Sequence, residues 1–172
     1  MARISWWLVA GVMLGSIPAC SLGGDLPWIH SLVKREIFSL MGQLKSIPPH
    51  LCLNDRTDFR FPWERGNITR MQKTQRTCLC LLMLQQIFNL FSTDKSPAAW
   101  DHTLLDKLLS GLHHSVEELG QTKEETLLCP DYLGILIRRY FFGILKYLKK
   151  KKYSSCAWEV VRSEIQVRLF LM

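Results

Sequence analysis

The chain has 172 residues and a mass of 20.0 kDa, of which 48% are hydrophobic and 22% charged, a balance that excludes a disordered, collagenous or polytopic membrane chain. Its length suits one domain rather than a multidomain enzyme. The 22 Lys+Arg outnumber 15 Asp+Glu to leave +7, and six cysteines are too few for a cysteine-framed miniprotein but enough for one or two bridges.

The N-terminal segment reads as a secretory leader. Arg3 supplies the positive start, Ile4 to Leu14 form an apolar core, and small residues follow through Ser16, Ala19 and Gly23. That core is shorter than the ~20 apolar residues of a membrane span. Cuts after Ala19 and after Gly23 are the two candidates; Ile17 is a poor residue two places before the first and Ser21 a good one before the second, which favours Gly23. The reading is a signal peptide over 1–23 and a helical domain over 24–172, exported and without membrane insertion. Removing 23 residues leaves 149, with +6 because Arg3 is the leader's only charged residue, and five cysteines: Cys52, Cys78, Cys80, Cys129 and Cys156. An odd number leaves one thiol unpaired or sends it to another chain, and spacing does not choose among the pairings.

Helical periodicity then dominates. Leu26, Ile29, Val33, Ile37, Leu40 and Leu44 recur at three or four within Asp25 to Ser46, and Pro48-Pro49 end the run. A second helix is predicted from Asn67 or Thr69 to Ser92, with Met71, Thr74, Cys78, Leu81, Gln85, Phe88 and Phe91 as its stripe. Ser96-Pro97 reads as an N-cap with proline at the first helical position. The helix it opens carries Trp100, Leu104, Leu108, Leu112 and Val116 and fades at Gly120. Asp131 caps a fourth helix over Tyr132 to Lys150, and Ser154 or Ser155 opens a fifth with Ala157, Val161, Ile165 and Leu169 inward. About twenty residues separate the first two helices, enough to return the chain to its starting end, whereas the Thr93–Ser96 link forces antiparallel neighbours. The expected fold is all-α: a five-helix bundle with a long first crossover, the cytokine arrangement.

Three segments resemble the type I interferon family. They are Cys52-Leu53-Asn54-Asp55-Arg56-Thr57-Asp58-Phe59-Arg60-Phe61-Pro62 in the long loop, Phe88 to Thr93 followed by Ala98-Ala99-Trp100-Asp101, and Tyr147 to Arg162 with Lys152-Tyr153-Ser154-Ser155-Cys156-Ala157-Trp158-Glu159-Val160-Val161-Arg162 at its heart. Gly24 stands where many relatives have a cysteine, the Gly120–Cys129 region is shortened and the chain stops at Met172, a combination that looks like the short trophoblast (delta) branch. The resemblance implies a Cys52–Cys156 bridge and a secreted ligand that gathers both chains of the type I interferon receptor, starting antiviral and antiproliferative JAK-STAT signalling. Matched positions place Leu53, Arg56, Arg162 and Leu171 against the high-affinity chain. Phe88, Asn89, Thr93, Leu104 and Arg138 fall against the low-affinity chain, with Leu109 and His113 replacing family aromatics. Cys78 and Cys80 point roughly 200° apart on a helix, and Cys80–Cys129 is the second pairing expected.

No nucleophile, base or metal cage is assembled in the sequence: the five histidines are scattered, and no HExxH, GxSxG or Gly-rich phosphate loop occurs. The reading is a non-enzyme with no metal and no cofactor. Asn67-Ile68-Thr69 is a glycosylation acceptor. Lys149, Lys150, Lys151 and Lys152 either complement a helix C-terminus or meet glycosaminoglycan; the absence of interleaved aromatics argues against nucleic acid. The competing expectation is a basic secreted defence protein acting on anionic membranes.

Overall fold

A computed structural model describes residues 27–121 and 129–172. The expected leader, Gly24 and the cut after Gly23 lie outside the described residues. Among the described residues there are six α-helices and a 3₁₀ segment: α1 Pro27–Gln43, the 3₁₀ segment Pro49–Asp55, α2 Arg65–Arg70, α3 Lys73–Phe91, α4 His102–Gln121, α5 Asp131–Lys150 and α6 Ser155–Leu171. No strand occurs among the described residues. The five long helices close a ring in which α1 packs on α4 and α6, α3 on α4 and α5, and α5 on α6. The core inside it is aliphatic and aromatic, with Ile37, Met41, Leu79, Met83, Leu108, Leu133, Ile144 and Trp158 fully enclosed.

The helix ends follow local chemistry. Ser154 caps α6, its Oγ accepting from Ala157 N–H at 3.2 Å. Asp101 does the same for α4, its Oδ1 accepting from Leu104 N–H at 3.0 Å. The expected Ser96-Pro97 cap is therefore corrected: Ser96 is buried in a series of turns, and the cap of α4 falls five residues later, at Asp101. The link between α3 and α4 is correspondingly longer than Thr93–Ser96 and does not by itself force their direction. Asp131 is the first residue of α5, an acid in its first turn, while Pro130 holds the cap position.

The predicted second helix is broken. Met71 and Gln72 are extended (ψ 147° and 151°), so Arg65–Arg70 stands apart from α3. Its expected stripe is also displaced. Gln85 is exposed and Leu81 and Phe88 are half-buried, whereas Leu79, Cys80, Met83, Leu84, Ile87 and Leu90 face the core. A run apolar on every side, Leu79 to Leu84, carries no period from which to choose a face.

Two disulfides join pairs of described residues. Cys52 joins Cys156, as the resemblance implied. The second is Cys78–Cys129 rather than Cys80–Cys129. Two residues apart, Cys78 and Cys80 look in nearly opposite directions; Cys78 is the one that meets the chain entering α5. Cys80 is disulfide-bonded too, and no described cysteine is a free thiol, so the unpaired sulfur expected from the odd count is not found among them.

Candidate functional site

The long first loop is fastened immediately before Arg56. Cys52 is bridged to the start of α6. Tyr147 on α5 donates its hydroxyl to the Asp55 carbonyl at 2.6 Å, and Lys151 Nζ stands 3.2 Å from Asp55 Oδ1. Phe59 packs edge-on against the Tyr147 ring at 5.1 Å. Farther along, Phe61 packs edge-on against both Trp63 and Tyr140, and the Tyr140 hydroxyl donates to Glu164 Oε1 at 2.7 Å. Arg168 Nε donates to the same oxygen at 2.8 Å, and its guanidinium lies over Phe61.

These contacts hold the two tyrosine hydroxyls in their protonated form. Burial, then the Glu164 charge, holds the Tyr140 hydroxyl well above the ordinary tyrosine range. Burial and the Asp55 charge push Tyr147 up to about 12. Because the folded pKa is raised, the stability linked to Tyr147 is complete below the unfolded value of 10.0 and is lost as pH climbs through about 12. Tyr147→Phe is expected to cost about 1 kcal/mol at neutral pH by deleting the bond to Asp55, and to soften the alkaline fall in urea-unfolding midpoints between those two values.

With its neighbours held, Arg56 keeps its side chain in solvent. It lines a groove with Cys52, Thr57, Glu159, Val160, Ser163 and Val167, so the loop and α6 form one surface. Leu51 and Leu53 (54% exposed) lie beside the anchored segment, and Val167 and Phe170 continue the surface along α6. Phe170 stands 6.2 Å from Phe38 of α1, which adds a third element. Leu171 is half-buried, one turn beyond Val167. Sequence reasoning missed Phe38, Val167 and Phe170. Phe38 follows the inward Ile37, and an apolar residue just off a core stripe was the available signal.

Arg162 behaves differently from its expected role as a contact. It is only 4% exposed and Glu159 only 2%. Its Nε and Nη2 donate to the two Glu159 carboxylate oxygens at 2.9 and 2.6 Å, while Nη1 donates to the Met41 carbonyl of α1 and to Gln166 Oε1. The guanidinium is spent on its own chain. Glu159 nevertheless lines the Arg56 groove, so Arg162 buttresses that surface from behind.

The second set of expected residues is only partly gathered. Phe88 is half-buried and stands 6.0 Å from His113 of α4; Asn89 is exposed beside it and Thr93 follows one turn later. Arg138 is exposed on α5 and lines a groove with Gln85, Gln86, Pro130 and Gly134, next to the Cys78–Cys129 bridge. Leu104 does not join this side. It packs against the core about half a turn around α4 from His113, on the flank where Gly111 approaches Ile37 of α1. Of the four terminal lysines, Lys151 is engaged by Asp55, and Lys149, Lys150 and Lys152 are exposed. Asn67 is exposed on α2 beside the buried Ile68, accessible to modification.

Among the described residues, no cluster of three or more His, Cys, Asp or Glu could hold a metal ion, and no helix is long and apolar enough to cross a membrane. One side presents an exposed arginine on an anchored loop among exposed apolar side chains, and the other a mixed aromatic and polar surface.

Comparison with known proteins gives the same direction. Residues 26–172 match the interferon alpha/beta domain. Human interferon omega-1 is 46% identical over 177 aligned residues, covering 99% of this chain and 91% of that protein. Horse interferon alpha-2 is 46% identical over 164, covering 92% and 89%. Among solved structures, zebrafish interferon 2 superposes with a TM-score of 0.67 at 23% identity over 81% of this chain and 94% of that one, a likeness of fold.

Proposed function

The chain belongs to the type I interferon family, whose members are non-enzymatic signalling proteins, and on that premise we propose that it is an exported ligand that gathers two receptor chains at the cell surface. Bringing the chains together lets their attached Janus kinases meet and start STAT-dependent antiviral and antiproliferative transcription. Residues 1–23 act as the leader, and Asn67 carries a glycan. Gly24 before Asp25-Leu26-Pro27, where many relatives have cysteine, supports placement in the short trophoblast branch.

The high-affinity chain meets Leu53, Arg56 and Leu171, joined by Phe38, Val167 and Phe170. The low-affinity chain meets Phe88, Asn89, Thr93 and Arg138. One observation carries the reading: an exposed arginine follows a residue held by a tyrosine and a lysine, four positions after a disulfide. A side chain on a prefixed backbone loses less freedom on binding, and arginine is enriched among the residues that dominate interfaces.

Arg56→Ala should weaken binding to the isolated high-affinity chain by at least ~2 kcal/mol, about thirtyfold, and leave the low-affinity chain and the unfolding midpoint unchanged. Surface-bound receptor chains assayed one at a time would show it. An unaltered affinity for both would remove Arg56 from the interface. A reporter response that survives receptor-blocking antibody would instead support direct action on anionic membranes.

A further inference from the structure

Neither backbone nor packing requires the glycine at position 134. It is the fourth residue of α5, where glycine costs a helix stability relative to alanine. Its φ is not positive, and a Cβ there would meet only Arg138 Nη2, at 3.9 Å, an ordinary contact. The missing side chain leaves room instead. Gly134 lies in a groove of about 350 Å³ between α3 and α5. The buried Ile137 and half-buried Leu82 give that groove an apolar floor, and the exposed Gln85, Arg138 and Asp131 a polar rim. Arg138 and Asp131 have no ion-pair partner among the described residues.

We propose that this groove admits one tyrosine side chain of the low-affinity receptor chain and that Gly134 sets its depth, which rests on the placement of that chain against Arg138. Charge selects the occupant. Arg138 and Asp131 lie seven residues apart on one side of α5 and leave the groove without net charge. A carboxylate is opposed by Asp131 and an ammonium by Arg138. A purely aliphatic side chain would shut Gln85 and Arg138 away from water without a partner. A tyrosine lays its ring on Leu82 and Ile137 and turns its hydroxyl to the rim, where the Arg138 guanidinium donates to it.

The test measures the leader-free, oxidised chain against each receptor chain alone. Gly134→Ala and Gly143→Ala should both raise the unfolding midpoint, since a Cβ at Gly143, half a turn around α5, meets nothing within 4 Å. Only the first should weaken the low-affinity chain, by about threefold or more. Gly134→Leu should weaken it at least about tenfold and spare the high-affinity chain. Exchanging the surface tyrosines of the low-affinity chain for alanine, one at a time, should find one whose loss is not additive with that of Gly134→Leu. Unchanged binding in Gly134→Ala and Gly134→Leu overturns the proposal, and so does additivity at every tyrosine. Should leucine at this position lower the midpoint, unchanged binding in Gly134→Ala is enough to overturn it. If Gly134→Leu instead dissolves a dimer of the chain itself, the occupant is a second copy and the proposal falls. Asn89→Ala and Arg138→Ala test the surface beneath it. If they weaken the low-affinity chain while the Gly134 variants do not, the groove takes no receptor side chain and the surface stands. If none of the variants does, both fall.

Discussion

Arg162→Ala is expected to lower the unfolding free energy by about 3–5 kcal/mol, because it strands a buried carboxylate. Glu159 is almost wholly enclosed, and both of its oxygens accept from this one guanidinium. The same substitution frees the Met41 carbonyl, breaking the tie between α6 and α1. Domains of this size are held by about 5–15 kcal/mol, so the loss is a large share of the total. Arg162→Lys should recover little, since an ammonium cannot reproduce the fork across two carboxylate oxygens. A Glu159→Gln/Arg162→Met pair should recover most of it, with no charge left in the interior. Urea unfolding of the four proteins decides the point. A small stability change accompanied by a large drop in high-affinity receptor binding would make Arg162 a direct contact and contradict its enclosed geometry.

This residue also shows where sequence ceased to be sufficient. The stripe Ala157, Val161, Ile165 and Leu169 is legible from spacing, and all four are buried. Arg162 and Gln166 lie off that stripe, which reads as solvent exposure if a helix has a single neighbour. In the ring, α6 has α5 on one side and α1 on the other, so its buried arc widens to include Glu159 and Arg162. A carboxylate three residues ahead of the arginine was the readable hint. The same widening explains α3, whose two neighbours bury a run with no period. Caps and breaks were legible where a side chain acts locally, as at Ser154. They failed at Ser96-Pro97, where Asp101 was an equally good cap, and at Met71-Gln72, where no proline or glycine marks the break.

The disulfides give the sharpest separation of the two proposed receptor surfaces. Cys52→Ser/Cys156→Ser opens a loop with a sequence separation of 104, and Cys78→Ser/Cys129→Ser one of 51. Loop-closure entropy depends on the logarithm of length, so doubling the loop adds only about 0.6 kcal/mol. Both variants should therefore lose similar stability, about 4–5 kcal/mol before any compensation by native strain, and thermal unfolding will barely distinguish them. Binding should. The first bridge lies four residues before Arg56, and after its removal Tyr147 and Lys151 would be the hydrogen-bonding and ionic ties left at Asp55. Affinity for the high-affinity chain should then fall about tenfold or more as the arginine regains freedom that docking must remove again. The second bridge joins α3 to the start of α5, beside the groove that contains Gln85 and Arg138. Its loss should weaken the low-affinity chain and spare the other. The measurements belong at a temperature where both variants remain folded, with each receptor chain assayed alone. Equal losses on both chains from either variant would mean that the bridges stabilise the whole ring and position neither surface. Crossed losses would assign each surface to its own staple, which is what the placement of Arg56 and Arg138 requires.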